Sequence, residues 1–302
     1  MEIYLEHVEC DLCHSKEYTV RYRKPDTWSR LNQFEFPVVE CNNCGLVFVN
    51  PRPTLDSMRF YYPENYYDNR DDELHQKRYS VQEEFLPKLT NEKILDIGCA
   101  RGDFLIYLKK KYPLIRAYGI DYFSDKVNSK DIIFYKNLLT DCQFQDSEFD
   151  LVTAWAVFEH LHKPSEYFKE VNRILKKNGK FIFLVTNSES LYGKKAYIED
   201  IPRHTYHFSE KTLNKYADKY GFKLTKCVYD DRIFDGRGLG TFYYTFASLS
   251  GVTWGKRFFN NINFIQAKVG LCGTFLDKII FKTHWEAKLK RSGIIVVEFT
   301  KI

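Results

Sequence analysis

A chain of 302 residues with 44% hydrophobic content can fold as one large α/β domain plus a small accessory unit, each with a core to bury. Its net charge of +5 comes from 45 basic residues interspersed with 40 acidic ones, which excludes the long cationic runs of a dedicated nucleic-acid binder. No apolar run approaches the roughly 18 residues that a membrane-spanning helix needs. The first residues, MEIYLEHVECDLC, lack a basic region followed by an apolar stretch, so the expectation is a cytoplasmic protein with reduced thiols. Aromatic residues reach 17%, with 22 Tyr and 25 Phe; they either furnish stacking surfaces for sugars or bases or reflect a plain compositional bias.

Two CxxC pairs come first. Cys10-Asp11-Leu12-Cys13 and Cys41-Asn42-Asn43-Cys44 each present two thiolates on one turn, and Gly45 permits the bend that such knuckles require. Alternation in residues 18–22 and 36–40 predicts strands between the pairs. Four sulfur ligands predict a zinc ribbon holding one structural Zn2+, with no open position for catalysis. A redox CxxC is the alternative, although the first pair lacks the strand-to-helix setting of a thioredoxin-like motif. Arg21, Arg23, Lys24 and Arg30 are balanced by Glu2, Glu6, Glu9, Asp11, Glu17 and Glu35, which argues against a nucleic-acid surface here. Residues 45–68 then order an apolar strand, a proline turn, a short helix and a tyrosine cluster. This order resembles the linker of bacterial sugar and small-molecule methyltransferases that carry an amino-terminal zinc-binding unit. Tyr61, Tyr62, Tyr66 and Tyr67 either form a lid over a ligand or pack the ribbon against the main domain. The expected division is a zinc-ribbon unit with its linker over 1–75 and a catalytic domain over 76–302.

Residues 94–105, ILDIGCARGDFL, run from a buried strand through a glycine turn into a helix, the geometry of a nucleotide-type site. The stretch resembles the first motif of class I S-adenosylmethionine-dependent methyltransferases, which places an acidic residue two before the first glycine, here Asp96. That resemblance implies S-adenosyl-L-methionine as cofactor. It sets Asp96 near the donor's amino group, directly or through water, and Gly98, Cys99, Ala100 and Gly102 against its methionine and ribose. A dinucleotide site is the alternative, but its three-glycine GxGxxG fingerprint is not met by Gly98-Cys99-Ala100-Arg101-Gly102. A helix over 104–112 leads to a second strand over 117–121, where Asp121 can accept both ribose hydroxyls of either cofactor.

The third strand and its exit cover 132–139, with Asn137 at the position matching the family's adenine contact; its amide oxygen can still accept a hydrogen bond. The fourth strand spans 149–155 and puts Trp155 near the methionine part or adenine of the cofactor. Glu159 and His160 match the family's Glu-His pair, which begins the next helix; Phe168, Val171, Ile174 and Leu175 give that helix a core face. After a turn at Gly179 and a fifth strand, Ile201-Pro202-Arg203-His204-Thr205-Tyr206-His207 reads as a loop preceding a helix near Ser209. His204 and His207 are the candidate general bases, having an unperturbed pKa near working pH, and Arg203 suits a phosphate or carboxylate on the acceptor. A sixth strand over 222–229 and a last, antiparallel strand over 293–300 flank an aromatic insertion at about 232–290. The insertion has too many apolar residues to leave exposed, so a helical pair there caps the acceptor pocket, makes a homo-oligomer contact or rests on a membrane surface.

The fold expected is therefore α/β, a Rossmann-like seven-stranded methyltransferase sheet with helices on both faces, plus the small zinc ribbon. The activity implied by the resemblance is methyl transfer to a small polar acceptor, a sugar or sugar nucleotide of a bacterial surface-polysaccharide or secondary-metabolite pathway. RNA methylation guided by the ribbon and a non-catalytic interaction scaffold are the alternatives, and nucleic acid is disfavoured as a partner.

Overall fold

The computed structural model describes residues 2–26, 31, 34–62, 72–124, 127, 129–191, 200–234, 241–251 and 262–302. The chain divides into two compact units. One comprises Met1–Asp68, Thr186–Ser209 and Tyr229–Ile295; the other comprises Asn69–Val185, Glu210–Val228 and Val296–Ile302. This differs from the division expected at residue 75, because residues 186–209 and 229–295 group with the amino-terminal segment.

The first unit is built on a four-stranded sheet ordered β11-β4-β3-β2. Strands β2 (Tyr18–Pro25) and β3 (Glu35–Cys41) pair antiparallel, with Tyr18 opposite Cys41 at one end and Pro25 opposite Glu35 at the other, so the hairpin starts and returns at the two cysteine turns. Strand β4 (Val47–Val49) follows, and its free edge is taken by β11 (Tyr206–His207), with Tyr206 opposite Phe48 and His207 opposite Val47. The segment expected as a loop over the cofactor is therefore partly a strand of this sheet. Val49 N donates to Thr205 O at 2.9 Å, so an otherwise open strand edge is satisfied by residues more than 150 positions away in sequence. Strand β1 (Leu5–Glu6) pairs with β5 (Arg52–Pro53), and the buried Arg52 bonds Glu6 Oε1 at 2.8 Å and the Tyr206 hydroxyl at 3.1 Å. Helix α1 (Leu55–Met58) starts at Thr54, whose hydroxyl accepts from Ser57 N at 3.3 Å. Tyr61 lies in the core cluster with Phe36, Val38, Val47, Val49 and Met58, so it packs this unit. Tyr66 and Tyr67 lie outside the described residues.

The second unit carries a seven-stranded sheet ordered β12-β13-β10-β9-β6-β7-β8. Its strands are β6 (Lys93–Ile97), β7 (Arg116–Ile120), β8 (Ile132–Tyr135), β9 (Phe149–Trp155), β10 (Leu175–Thr186), β12 (Phe222–Tyr229) and β13 (Ile294–Lys301). Strands β10, β9, β6, β7 and β8 pair in parallel. The bonds from Ile302 N to Gly221 O and from Thr225 Oγ1 to Glu298 O run β13 antiparallel to β12. Helices α2 (Asp72–Glu83), α3 (Asp103–Lys111), α4 (Pro164–Ile174) and α5 (Glu210–Lys219) complete the unit. The chain order reverses between β6 and β9, the point where open α/β sheets bind ligands at their strand carboxyl ends.

Helix α4 shows why this sequence folds so. Pro164 occupies the first turn, where its missing N–H costs nothing, and Tyr167, Phe168, Val171 and Ile174 recur at the spacing of one buried face. The Glu-His pair does not begin this helix: Phe158–His160 is a 3-10 turn, Leu161 is extended, and the helix waits for the proline. The ring of Phe168 lies 4.8 Å from Phe158, 4.7 Å from Tyr216 and 5.9 Å from Phe299. Much of the unusual aromatic content therefore fills this core, where a fully buried ring contributes about 1.5–3 kcal/mol.

The insertion is helical, as expected, with α6 (Thr241–Leu249), α7 (Phe264–Ile280) and the short α8 (Trp285–Lys288). Many of its apolar residues are not covered: Leu249, Phe264, Ile265, Leu271, Phe275 and Ile279 are exposed, whereas Ala247 and Phe281 are buried and Phe242 and Phe246 half-buried. The buried positions of α7 are instead Gly270, Gly273 and Asp277. A Cβ at Gly273 would stand 2.6 Å from the Tyr243 Cα, so close helix approach, rather than side-chain burial, selects the inward face. No helix among the described residues is long and apolar enough to cross a membrane.

Candidate active site

Asp96 is the second-last residue of β6, opposite Thr153 in β9. The carboxylate is buried, and the Thr153 hydroxyl donates to Asp96 Oδ1 at 2.6 Å. Burial pushes the Asp96 carboxyl up to about 7; the Thr153 bond opposes this and the charge of Asp121 adds to it. Thr153 was missed by sequence reasoning. Its signal was a lone hydroxyl in the apolar strand Phe149–Trp155.

The glycine turn is held by backbone bonds. Gly98 N and Cys99 N both donate to Ile120 O, at 2.8 and 3.0 Å, and Gly102 N donates to Cys99 O at 2.8 Å. Gly98 has φ +69°, and a Cβ there would meet Val157 Cγ2 at 2.4 Å. Gly102 caps α3 in the left-handed region at φ +76°, hemmed by Val127. Cys99 turns its sulfur toward Gly119, leaving only backbone for a ligand, and Ala100 adopts φ +49°. Val157 was also invisible in the sequence, because its contact with Gly98 joins β9 to β6.

Asp121, just past β7, closes the turn. Its Oδ2 accepts from Ala100 N at 2.9 Å, and its Oδ1 accepts from Phe123 N and Ser124 N at 2.8 Å each. Oδ2, which accepts only one of these bonds, keeps a further lone pair for a ribose hydroxyl, whereas Oδ1 is filled by its two amides. Trp155 packs edge-on to Phe104 with centroids 5.5 Å apart, and its buried indole N–H finds no hydrogen-bond partner among the described residues. Such an orphan donor fits a site completed by a ligand. Asn137 is exposed after β8.

Within the first unit, the four cysteine sulfurs lie within 4.8 Å of one another, with Cys10–Cys44 at 3.4 Å and Cys13–Cys41 at 3.5 Å. Tetrahedral Zn–S bonds of about 2.3 Å place sulfurs about 3.8 Å apart, so the donor set fits that ion. His204 and His207 are buried, their rings 6.3 Å apart. Burial, with His207 and Arg203 nearby, holds His204 well below its ordinary pKa. Burial likewise lowers His207 to about 4. Arg203 is also buried, paired with Asp200 and stacked 5.6 Å from the Tyr62 ring centroid, so its fork is already engaged within the unit.

Residues 70–226 match a family model described as a methyltransferase domain. An uncharacterised protein of Methanocaldococcus jannaschii is 32% identical over 124 residues, 37% of this chain and 50% of that protein. A demethylmenaquinone methyltransferase of Thermotoga maritima is 27% identical over 106 residues, 33% of this chain and 46% of that protein. The chain thus spans half or less of the length of these relatives. A Phospholethanolamine N-methyltransferase 2 of Haemonchus contortus, solved with phosphomonomethylethanolamine and S-adenosylhomocysteine, superposes with a TM-score of 0.54 at 14% identity, covering 84% of this chain and 62% of that one, a likeness of fold.

Proposed function

From the premise that this chain belongs to the methyltransferase-domain family, we propose that it methylates a small polar acceptor using S-adenosyl-L-methionine. By the sequence resemblance, the acceptor is a sugar or sugar nucleotide of a bacterial surface-polysaccharide or secondary-metabolite pathway. The carrying observation is the switch-point constellation: the buried Asp96 carboxyl, the left-handed Gly98–Gly102 turn, the Asp121 carboxylate and the orphan Trp155 N–H, all in one unit. When bound, the cofactor supplies a methyl group on a sulfonium, open to in-line displacement.

In this reading Asp96 attracts the donor's ammonium, which in turn favours the ionised carboxylate. Asp121 holds the turn through three amides and offers the remaining lone pair of Oδ2 to the ribose. Trp155 donates from a dry wall. The zinc is assigned to Cys10, Cys13, Cys41 and Cys44 as a structural ion that fixes the ends of the β2–β3 hairpin. The general base is assigned to His204 or His207. Both are in the neutral, proton-accepting form at pH 7, but burial penalises the imidazolium that each would become, so either would be a weak base.

The test is a screen of sugar nucleotides with the zinc-loaded protein, scored by release of S-adenosylhomocysteine. Acceptor-dependent release is expected. A folded protein that fails to bind S-adenosyl-L-methionine overturns the reading. Release unchanged in a His204→Ala/His207→Ala double variant removes the base assignment and leaves the cofactor site standing.

A further inference from the structure

The chain leaves β12 at Tyr229, passes Asp231, makes the helical insertion and returns through His284 and Glu286 before β13. At this neck two carboxyl groups are buried together: Asp231 is 1% exposed and Glu286 0%. One ligand atom from each, with one from His284, lie within 4.8 Å of one another. His284 Nδ1 is 3.7 Å from Asp231 Oδ1 and 3.8 Å from Glu286 Oε1. Those separations are too long for hydrogen bonds and lie a few tenths of an ångström beyond the roughly 3.0–3.4 Å between adjacent ligand atoms that share a metal with bonds of about 2.1 Å. Neither Glu286 oxygen has a hydrogen-bond partner among the described residues, although the carboxyl is fully buried. The guanidinium of the adjacent Arg232 bonds Asp230 at 2.7 and 2.9 Å.

A buried carboxyl without hydrogen bonds is costly, and a second one beside it raises the cost. Burial foremost, then the charge of Asp231, drives the Glu286 carboxyl above its ordinary range. A divalent cation cancels both charges and supplies the missing partner. The half-exposed His284 side chain leaves an approach from solvent and room for water ligands.

We propose that Asp231, His284 and Glu286 form a second metal site, taking a divalent transition ion that clips the neck of the helical insertion. One imidazole nitrogen with two carboxylates suits Mn2+, Fe2+ or Zn2+, whereas the four-thiolate cluster selects Zn2+ and rejects Mn2+. The site shares no residue with the cofactor constellation, so it stands independently of the methyl-transfer reading.

Titrating Mn2+ into the full-length, zinc-loaded chain, with free Mn2+ followed by electron paramagnetic resonance, tests this. The wild type is expected to bind one Mn2+ and to gain thermal stability from it. His284→Asn and Glu286→Gln should each weaken binding at least tenfold and abolish the stability gain, while the zinc content stays at one. His284 sits at φ 48°, a conformation that Asn accepts, and its side chain is half exposed, so that variant decides the matter even where Glu286→Gln does not fold. Failure of the wild type to bind Mn2+ or a second Zn2+, or unaltered binding by His284→Asn, overturns the proposal.

Discussion

Replacing Asp96 by Asn separates what this carboxyl does for ligand binding from what it costs the fold. An ordinary Asp titrates near ~3.9, and in the folded chain Asp96 is pushed up to about 7. The folded state therefore binds this proton more tightly than the unfolded state. The stability from Asp96 is fully present below pH ~4 and is lost as pH rises through about 7. At about 1.4 kcal/mol per pH unit, the total loss is ~4 kcal/mol, of which ~3 kcal/mol falls between pH 5 and 8. Asn removes the titration while keeping an oxygen for the Thr153 hydroxyl at the 2.6 Å position. Its new amide donor costs about 1–3 kcal/mol if unpaired, but that cost is the same at both pH values and cancels. Urea unfolding of the zinc-loaded wild type and Asp96→Asn at pH 5 and 8 should show the stability difference moving by ~3 kcal/mol in favour of the variant at pH 8. Calorimetric titration with S-adenosyl-L-methionine should show the same variant binding at least tenfold more weakly, because the ammonium loses its carboxylate. A stability difference that stays constant between the two pH values refutes the buried-carboxyl argument.

Three further perturbations follow from the geometry. Gly98→Ala places a Cβ 2.4 Å from Val157 Cγ2 at positive φ, and should cost about 2–4 kcal/mol and weaken cofactor binding; adding Val157→Ala should recover the steric part but not the roughly 1 kcal/mol due to φ, as measured by a double-mutant cycle. Chelation of the zinc-loaded protein should make four additional thiols reactive to a colorimetric reagent and lower the melting temperature, whereas Cys13→Ser should prevent zinc retention altogether. The Asp277 carboxylate accepts from Phe242 N at 2.8 Å and Tyr243 N at 3.0 Å, capping α6, so Asp277→Ala should lower stability by about 1–2 kcal/mol and speed amide exchange at the start of that helix.

The parts of the fold that were legible in the sequence are those decided by local pattern. Strands β9 and β12 lie over 149–155 and 222–229 as expected, and the glycine turn expected to lead into a helix does so at Gly102, which takes φ +76°. The two CxxC pairs could be read because each is a self-contained turn, and the partnership between them needs only one hairpin, β2–β3. Pairings that depend on distant chain segments left no such trace. Strand β11 is two residues long, and its place beside β4 follows from an unsatisfied strand edge, not from any periodicity in residues 201–209. The same gap hid Thr153 and Val157, whose roles exist only because β9 lies against β6.

The insertion shows a different gap: its apolar count was legible, but the count does not say which face of α7 packs within the chain. Its apolar count argued for burial, yet on α7 the inward positions are Gly270, Gly273 and Asp277, while Phe264, Leu271, Phe275 and Ile279 face out. The reason is that two energies compete at a helix contact. Large side chains gain from burial, about 25 cal/mol per Å2 of apolar surface, but hold the helix axes apart. Glycines forgo that gain and let the Tyr243 backbone come close enough for Asp277 to take both amides at the start of α6. A sequence scan that scores only hydrophobicity assigns the wrong face to such a helix. One that first asks which residue can accept a neighbouring backbone, and which buried carboxylate has amides to receive, finds the inward stripe from Gly270, Gly273 and Asp277 alone.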